Sequence, residues 1–192
     1  MEGGRVTVTR PASVPESASA SAHAPAPAPV PARPDAASFR GALSRFATGV
    51  VVVTGLVGAE ARPAGLTVNS FTSVSLDPPL VSFCAGRTSR TWPVLQTAER
   101  ICVNILGAAQ EETSRRLARS GPDKFTGVRW SPSPAGQPVL DGTIAWLECT
   151  VEAQHPAGDH HIVVARVHAL GTTEGDGPLL FYRGGYGRFT PA

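Results

Sequence analysis

The stretch GLTVNSFTSVSLDPP, residues 65–79 of this 192-residue chain, decides the fold. Apolar side chains alternate in it with hydroxyl and amide side chains, which is typical of a β-strand with one apolar and one polar face. The alternation fails near Phe71, where we expect a local irregularity. Asp77 and the two prolines that follow it end the strand. The stretch therefore predicts a strand whose polar face carries no charge.

Similar patterns on both sides of this stretch predict a mainly β fold. Runs rich in β-branched residues predict further strands at 50–57, 80–85, 101–106, 143–155, 160–173 and 178–183. Helical spacing of apolar residues predicts short helices at 36–47, 89–98 and 110–120. Because helices and strands do not alternate regularly, we expect a β-barrel with a few short helices, and not a doubly wound parallel sheet.

The start of the chain differs in composition from the rest. Residues 12–34 consist mainly of Ala, Pro and Ser, as in APAPAPVPARP. Such a segment cannot bury enough apolar surface to offset its chain entropy. We therefore expect a disordered Ala/Pro-rich arm over residues 1–36 and a single domain over residues 37–192.

Charge and composition exclude several classes of partner. The net charge is +2 and Lys124 is the only lysine, which argues against nucleic acid as a partner. No apolar run approaches the roughly 20 residues of a membrane span, so no membrane association is expected. The three cysteines are scattered and no secretion signal is recognisable, so we expect a reducing, cytoplasmic location.

Several familiar site motifs are missing. His155, His160 and His161 are the obvious metal candidates, but the last two are adjacent in a predicted strand and point to opposite faces, so no metal is expected. GGYG at 184–187 is not followed by a helix and fails the context of a dinucleotide-binding fingerprint. The chain also lacks a phosphate-binding loop and a serine nucleophile elbow.

Two clusters remain as candidate ligand sites. Uncharged polar side chains are concentrated at Thr67, Asn69, Ser70, Thr72, Ser73 and Ser75. They suit a flat ligand with many donors and acceptors, such as a flavin ring, but a solvent-facing strand has the same composition. GRTSRTW, residues 86–92, combines small residues with two arginines before a predicted helix. It suits a phosphate, and an ordinary capped loop is the alternative.

The order of seven landmarks resembles the flavin reductase family that serves two-component flavin-dependent monooxygenases. The landmarks are FRGALSRFATGVVVVT, GLTVNSFTSVSLDPPLVSFC, TSRTW, ICVNIL, PDKFTGV, GDHHIVVARV and PLLFYRGGYG. The resemblance covers nearly all of residues 37–192 and implies the FMN-binding split-barrel fold. It also implies a homodimer, with the flavin in a groove near the subunit interface.

The resemblance further implies roles for individual residues. The isoalloxazine ring of FMN or FAD would contact Gly65, Leu66, Thr67, Asn69 and Ser70. The ribityl chain would lie beside Cys84, Ala85 and Gly86, and the phosphate beside Ser89, Arg90, Thr91 and Arg116. The nicotinamide nucleotide would contact His160, Phe181, Tyr182, Arg183 and Gly184.

The activity implied is that of an NAD(P)H:flavin oxidoreductase that supplies reduced flavin to a separate monooxygenase. Hydride transfer between two cofactors needs no protein acid or base, so no catalytic residue is predicted beyond an assisting role for His160. NADH is expected. NADPH is the alternative, because its 2′-phosphate usually needs an additional arginine or lysine, and Arg183 and Arg188 lie near the predicted nucleotide residues in the sequence. Two other readings stay open: a flavoprotein with tightly held flavin that reduces another acceptor, and a flavin-binding electron-transfer protein.

Overall fold

The structure is a computed structural model that describes residues 33–175 and 177–190. Its helices are α1 (Ala36–Leu43), α2 (Trp92–Leu95) and α3 (Glu111–Ala118), with a 3-10 helix at Pro122–Phe125. Its strands are β1 (Thr48–Gly49), β2 (Val51–Val57), β3 (Arg62–Val68), β4 (Thr72–Leu76), β5 (Pro79–Gly86), β6 (Ile101–Leu106), β7 (Trp130–Pro132), β8 (Pro138–Leu140), β9 (Thr143–Ala157), β10 (His160–Thr172), β11 (Leu179–Tyr182) and β12 (Gly185–Arg188). The predicted mainly β class with a few short helices is confirmed. The predicted arm lies outside the described residues except for 33–36, and its last residue begins α1.

Seven antiparallel strands form the main sheet, in the order β3-β2-β6-β9-β10-β5-β4. The two edge strands, β3 and β4, are consecutive in sequence and are joined by residues 69–71 only. A flat sheet of seven strands would separate its edges by roughly 29 Å, whereas a link of three residues spans at most about 14 Å. The sheet must therefore curve into a barrel that is split between β3 and β4, which are not paired with each other in the described residues.

The split coincides with the irregularity predicted near Phe71. The sequence pattern predicts one strand with a local fault, but residues 69–71 leave the sheet altogether and divide it into two strands at opposite edges. Ser70 fixes this link to β5, because its hydroxyl oxygen accepts a hydrogen bond of 2.8 Å from the backbone N–H of Cys84. We call residues 69–71 the split link.

The apolar run at 50–57 is continuous because both faces of β2 are buried. Val51 and Val53 belong to a core cluster built around Phe83, Leu95 and Ile101. Val50 and Val52 belong to a second cluster, which includes Leu106, Leu117, Leu140 and Leu179. Helix α3 covers this second cluster through Leu117, so β2 is the wall shared by the two halves of the core.

Helix α1 departs from the sequence prediction. Asp35 caps it as expected, since its Oδ1 accepts hydrogen bonds from the backbone N–H groups of Ala37 and Ser38, at 2.8 and 2.9 Å. The helix ends at Leu43, four residues earlier than the pattern predicts. Phe39 and Leu43, which share one face, are 54% and 59% exposed. No residue of α1 is buried, so its apolar face is left for another surface.

The C-terminal hairpin, β11 and β12, pairs with β1 in a small three-stranded sheet. Its turn has Arg183 at φ 50° and Gly184 at φ 80°, the left-handed backbone that a two-residue hairpin turn requires. The backbone N–H of Arg183 donates to the carbonyl of Ser44, at 2.8 Å. This bond places the tip of the hairpin beside the end of α1. In the described residues, no helix has the length and hydropathy needed to span a membrane.

Candidate functional site

A groove of about 900 Å³ lies where the split link, the hairpin tip and α1 meet. Its apolar walls are Phe39, Leu43, Phe46, Phe71 and Phe181. We call it the apolar groove. Five residues predicted to bind flavin or nicotinamide line it: Asn69, Ser70, His160, Phe181 and Gly184. The structure thus brings together residues that are more than 110 positions apart in the chain.

His160 stands at one side of this groove, directly opposite Gly86 in the pairing of β10 with β5. A hydrogen bond of 2.8 Å joins its Nδ1 to a carboxylate oxygen of Asp159. This hydrogen bond, with the charge of His160, lowers the pKa of Asp159. Since a carboxylate only accepts, Nδ1 carries the proton and Nε2 is left for a ligand. A Cβ atom at Gly86 would lie 3.6 Å from Nε2, an ordinary van der Waals contact, so the ring lies close to the backbone of β5.

Phe181 is held in the groove by the residues behind it. Its ring meets that of Tyr186 edge to face, with the centroids 5.3 Å apart. The Tyr186 hydroxyl is hydrogen-bonded to Ser114 on α3, at 2.8 Å, and the Arg115 guanidinium lies 4.7 Å above the Tyr186 ring. The sequence gives no signal for Tyr186 or Ser114, because their contact joins positions 72 residues apart.

Several groups of β3 and the split link that were predicted to contact the flavin already have partners within the protein. The Thr67 hydroxyl donates to the carbonyl of Ser114, at 2.9 Å, and Leu66 packs against the first core cluster. The Ser70 hydroxyl oxygen is used by Cys84. Asn69 is exposed, and its amide makes no side-chain hydrogen bond in the part of the chain described. The Asn69 amide, in the split link, therefore offers a free donor and a free acceptor.

The other residues of β5 and the hairpin that were predicted to bind flavin or nicotinamide do not line the apolar groove. Cys84, Ala85 and Gly86 pair with Ile162, His161 and His160 of β10. Ala85 is buried as a whole residue and belongs to the first core cluster. Tyr182 is 45% exposed, and Arg183 forms the hairpin turn.

A second groove, of about 450 Å³, contains the predicted phosphate residues Arg90 and Thr91. We call it the cationic groove. It also holds Lys124 and Phe125, which sequence reasoning did not assign to the site. Lys124 Nζ donates to Thr91 Oγ1 at 2.7 Å and to the carbonyls of Leu117 and Arg119 at 3.2 Å, and burial lowers its pKa. The single lysine of the chain thus fixes the 3-10 helix against the loop before α2.

Phe125 lines the cationic groove and also packs against β3. A Cβ atom at Gly65 would lie 2.7 Å from its Cε2 atom, so the ring occupies the space that a side chain would need. Lys124 and Phe125 both lie in PDKFTGV, one of the seven landmarks, and this was the sequence signal that could have identified them. Ser89, by contrast, stabilises the start of α2: its hydroxyl oxygen accepts from the N–H groups of Thr91 and Trp92, at 3.3 and 3.1 Å.

Arg116 lies apart from Arg90 and Thr91. Its guanidinium donates to the carbonyl of Thr126 at 2.6 Å and to Glu112 at 3.2 Å. It lines a third groove, of about 510 Å³, which we call the arginine groove. Among the described residues, no group of three or more His, Cys, Asp or Glu side chains is arranged to hold a metal ion.

The arrangement matches what a flavin requires. Asn69 supplies amide partners beside the phenylalanine walls of the apolar groove, which suits a ring with a polar and an apolar end. Arg90 and Lys124 supply positive charge for a phosphate in the cationic groove. The glycine at 65 leaves space for the Phe125 ring.

Comparison with known proteins agrees with this arrangement. The model of the flavin reductase like domain matches residues 43–190. The chain is 40% identical over 157 residues to the reductase subunit HsaB of a flavin-dependent monooxygenase from Rhodococcus jostii, covering 82% of this chain and 80% of that one. It is 42% identical over 155 residues to a flavin reductase from Pseudomonas putida, covering 81% and 91%. The Streptomyces globisporus NADH:FAD oxidoreductase SgcE6, solved with NAD and FAD fragments, superposes with a TM-score of 0.75 at 36% identity, covering 82% and 94%.

Proposed function

This chain belongs to the family of flavin reductase-like domains and is a flavin reductase, and we propose that it transfers a hydride from NADH to FMN or FAD and supplies the reduced flavin to a separate monooxygenase. The observation that carries the proposal is the apolar groove, in which Asn69 of the split link meets His160 and Phe181. The nicotinamide and flavin rings would supply the redox chemistry, and the protein positions them.

The residues of the groove have distinct tasks in this proposal. Asn69 hydrogen-bonds the polar edge of the flavin, and Phe181, fixed by Tyr186, forms an apolar wall for the nicotinamide side. His160 presents Nε2 as a hydrogen-bonding atom, with its orientation fixed by Asp159. Burial of two flat rings in one groove excludes water and favours the roughly 3–3.5 Å approach that transfer requires.

The charged end of the flavin is assigned to the cationic groove. Arg90 is exposed and free to approach a phosphate, and Lys124 adds positive charge from behind Thr91. The Lys124 ammonium has all three donors engaged within the protein, so it acts on the phosphate through its charge. Phe125 lines the cationic groove and packs against Gly65 of β3.

We also propose that the protein is a homodimer. The exposed apolar face of α1, Phe39 and Leu43, forms a wall of the apolar groove together with Phe46, which is 76% exposed. A second copy that covers this wall would complete the enclosure of the rings.

A cytoplasmic location is proposed on separate grounds. The three cysteines, all in the described part of the chain, are free, as expected in a reducing compartment where NADH is also supplied. Cell fractionation with an antibody to the native protein tests this, and recovery in an extracellular fraction would contradict it.

The experiment that tests the function is direct. Purified protein is mixed with NADH and an excess of FMN or FAD, and the near-ultraviolet absorbance of NADH is followed. We expect NADH consumption that depends on added flavin. An absence of flavin-dependent consumption with both NADH and NADPH would overturn the proposal and would favour a flavin-binding electron-transfer protein.

A further inference from the structure

The arginine groove has no task in the reaction described so far. We propose that it is a binding site for the adenylate half of FAD, so that this reductase selects FAD over FMN. This inference rests on the proposed function, and it assigns a site and a preference that the function leaves open. The ligand class is an adenosine monophosphate unit joined through a pyrophosphate to the flavin.

The first support is the position of the groove. Gly121 and Lys124 line both the cationic groove and the arginine groove, so the two are adjacent and open at the same pair of residues. Their volumes are about 450 and about 510 Å³. Each is within the range of roughly 300–1,000 Å³ that small-ligand sites occupy. A flavin whose phosphate lies beside Arg90 would direct any further substituent past Lys124 and into the arginine groove.

The second support is the charge at the junction. Lys124 forms no salt bridge among the described residues, although it is partly buried. Its three hydrogen-bond acceptors are neutral, so its charge has no carboxylate partner and favours an anion nearby. The phosphate of FMN carries about the same charge at neutral pH as the pyrophosphate of FAD, but only FAD divides it between two phosphates, so that one can lie beside Arg90 and the second beside Lys124.

The third support is the composition of the groove wall. Helix α3 contributes Arg115 and Arg116, and Arg119 follows at its end. Arg115 and Arg116 are paired with Glu111 and Glu112, but Arg119 has no salt bridge in the described residues. A guanidinium that is not engaged by a carboxylate can stack on a purine or bind a phosphate.

Asp123 gives the same groove an acceptor. It lies in the 3-10 helix, lines the arginine groove together with the arginines, and forms no salt bridge in the described part. A carboxylate suits the ribose hydroxyls and the adenine amino group, both of which are donors. An inorganic anion would need neither this acceptor nor a groove of this volume, so an adenylate is the better match.

The test measures binding of oxidised flavins without NADH. Dissociation constants of FAD and FMN are determined by titration calorimetry for the wild type and for Arg119→Ala, which removes an exposed side chain at the end of α3. Arg129→Ala is the matched control, because Arg129 is 86% exposed and lies outside the arginine groove.

We expect the wild type to bind FAD about tenfold more tightly than FMN. Arg119→Ala should weaken FAD binding roughly five- to tenfold and leave FMN binding within about twofold, while Arg129→Ala changes neither. Adenosine 5′-monophosphate should compete with FAD and not with FMN.

Equal affinity of the wild type for FAD and FMN would overturn the inference, as would an equal effect of Arg119→Ala on both. A rise in the KM for NADH on Arg119→Ala, with FAD binding unchanged, would assign the groove to the nicotinamide nucleotide and would also overturn it. Flavin-dependent oxidation of NADH with FMN is independent of these results. Its presence or absence therefore tests the proposed function separately.

Discussion

His160 is the residue whose surroundings say most about its role. Its Nδ1 is engaged by Asp159, its Nε2 faces Gly86, and it lines the apolar groove. The hydrogen bond to Asp159 fixes the orientation of the ring, and Nε2 makes no hydrogen bond among the described residues, which suits a residue that binds a ligand.

Replacing His160 should affect the nucleotide more than the flavin. We expect His160→Ala to raise the KM for NADH at least several-fold, because a hydrogen bond to a bound ligand contributes about 1 kcal/mol or more. Steady-state kinetics with flavin at saturation measures this. His161→Ala is the matched control, since the adjacent side chain points to the other face of β10. Unchanged kinetics for His160→Ala would remove it from the site.

The cysteines differ in reactivity for a physical reason. Burial raises the pKa of Cys102 and of Cys149 to about 12, and both side chains are inaccessible. At pH 8 only about one thiol in 10,000 at such a pKa is ionised, so neither should react in the folded protein. We expect one thiol per chain, Cys84, to react with a thiol reagent under native conditions and all three in denaturant. Rapid native reaction of two or three thiols would contradict this packing.

At the scale of elements, β3 is in close contact with the 3-10 helix. The Phe125 ring occupies the space beside Gly65 that a side chain would need. The glycine is required here because of close packing, since its backbone is ordinary extended strand.

Filling this space should disturb both binding and stability. We expect Gly65→Ala to lower the free energy of unfolding by about 1–3 kcal/mol and to weaken flavin binding, because the Phe125 ring must move. Chemical denaturation and flavin titration measure the two effects. In the double variant Gly65→Ala with Phe125→Leu, the smaller side chain should recover part of the lost stability. A single variant as stable as the wild type would show that Phe125 does not occupy this space.

The sequence predicted the positions of the strands better than it predicted which strands pair with each other. The strand patterns at 80–85, 101–106, 143–155 and 160–173 match β5, β6, β9 and β10, because alternation and β-branched residues are local signals. The division at residues 69–71 was visible only as an irregularity near Phe71. Which edges of the sheet it joins depends on pairings between strands distant in sequence, and no local pattern encodes them.

The candidate site shows the same limit. Asn69, Ser70, His160 and Phe181 were named from the family resemblance, and the structure brings them to one groove. Their contacts with a ligand stay predictions. Lys124 and Phe125 were missed, because composition presents them as one loop among several and their importance arises from a contact with Thr91 and Gly65. The exposure of α1 was also missed, since helical spacing shows an apolar face but not what covers it.

At the scale of the whole molecule, that exposed face leads to a prediction about assembly. We expect the wild type to sediment as a dimer and the double variant Phe39→Ser with Leu43→Ser to sediment as a monomer, because both side chains are more than half exposed in one chain. Flavin binding should weaken in the variant as the apolar groove loses its cover. Leu170→Ser, at a leucine that is 65% exposed on β10, is the control and should leave the dimer intact. A monomeric wild type would contradict the assembly.

The central claim is that the protein reduces flavin with NADH and then releases it. Anaerobic mixing of a small amount of protein with NADH and a large excess of FAD or FMN tests this most directly, by the loss of visible flavin absorbance. The account predicts that many flavins per chain are bleached, until NADH is exhausted. Bleaching that stops at one flavin per chain, or none at all, would contradict it.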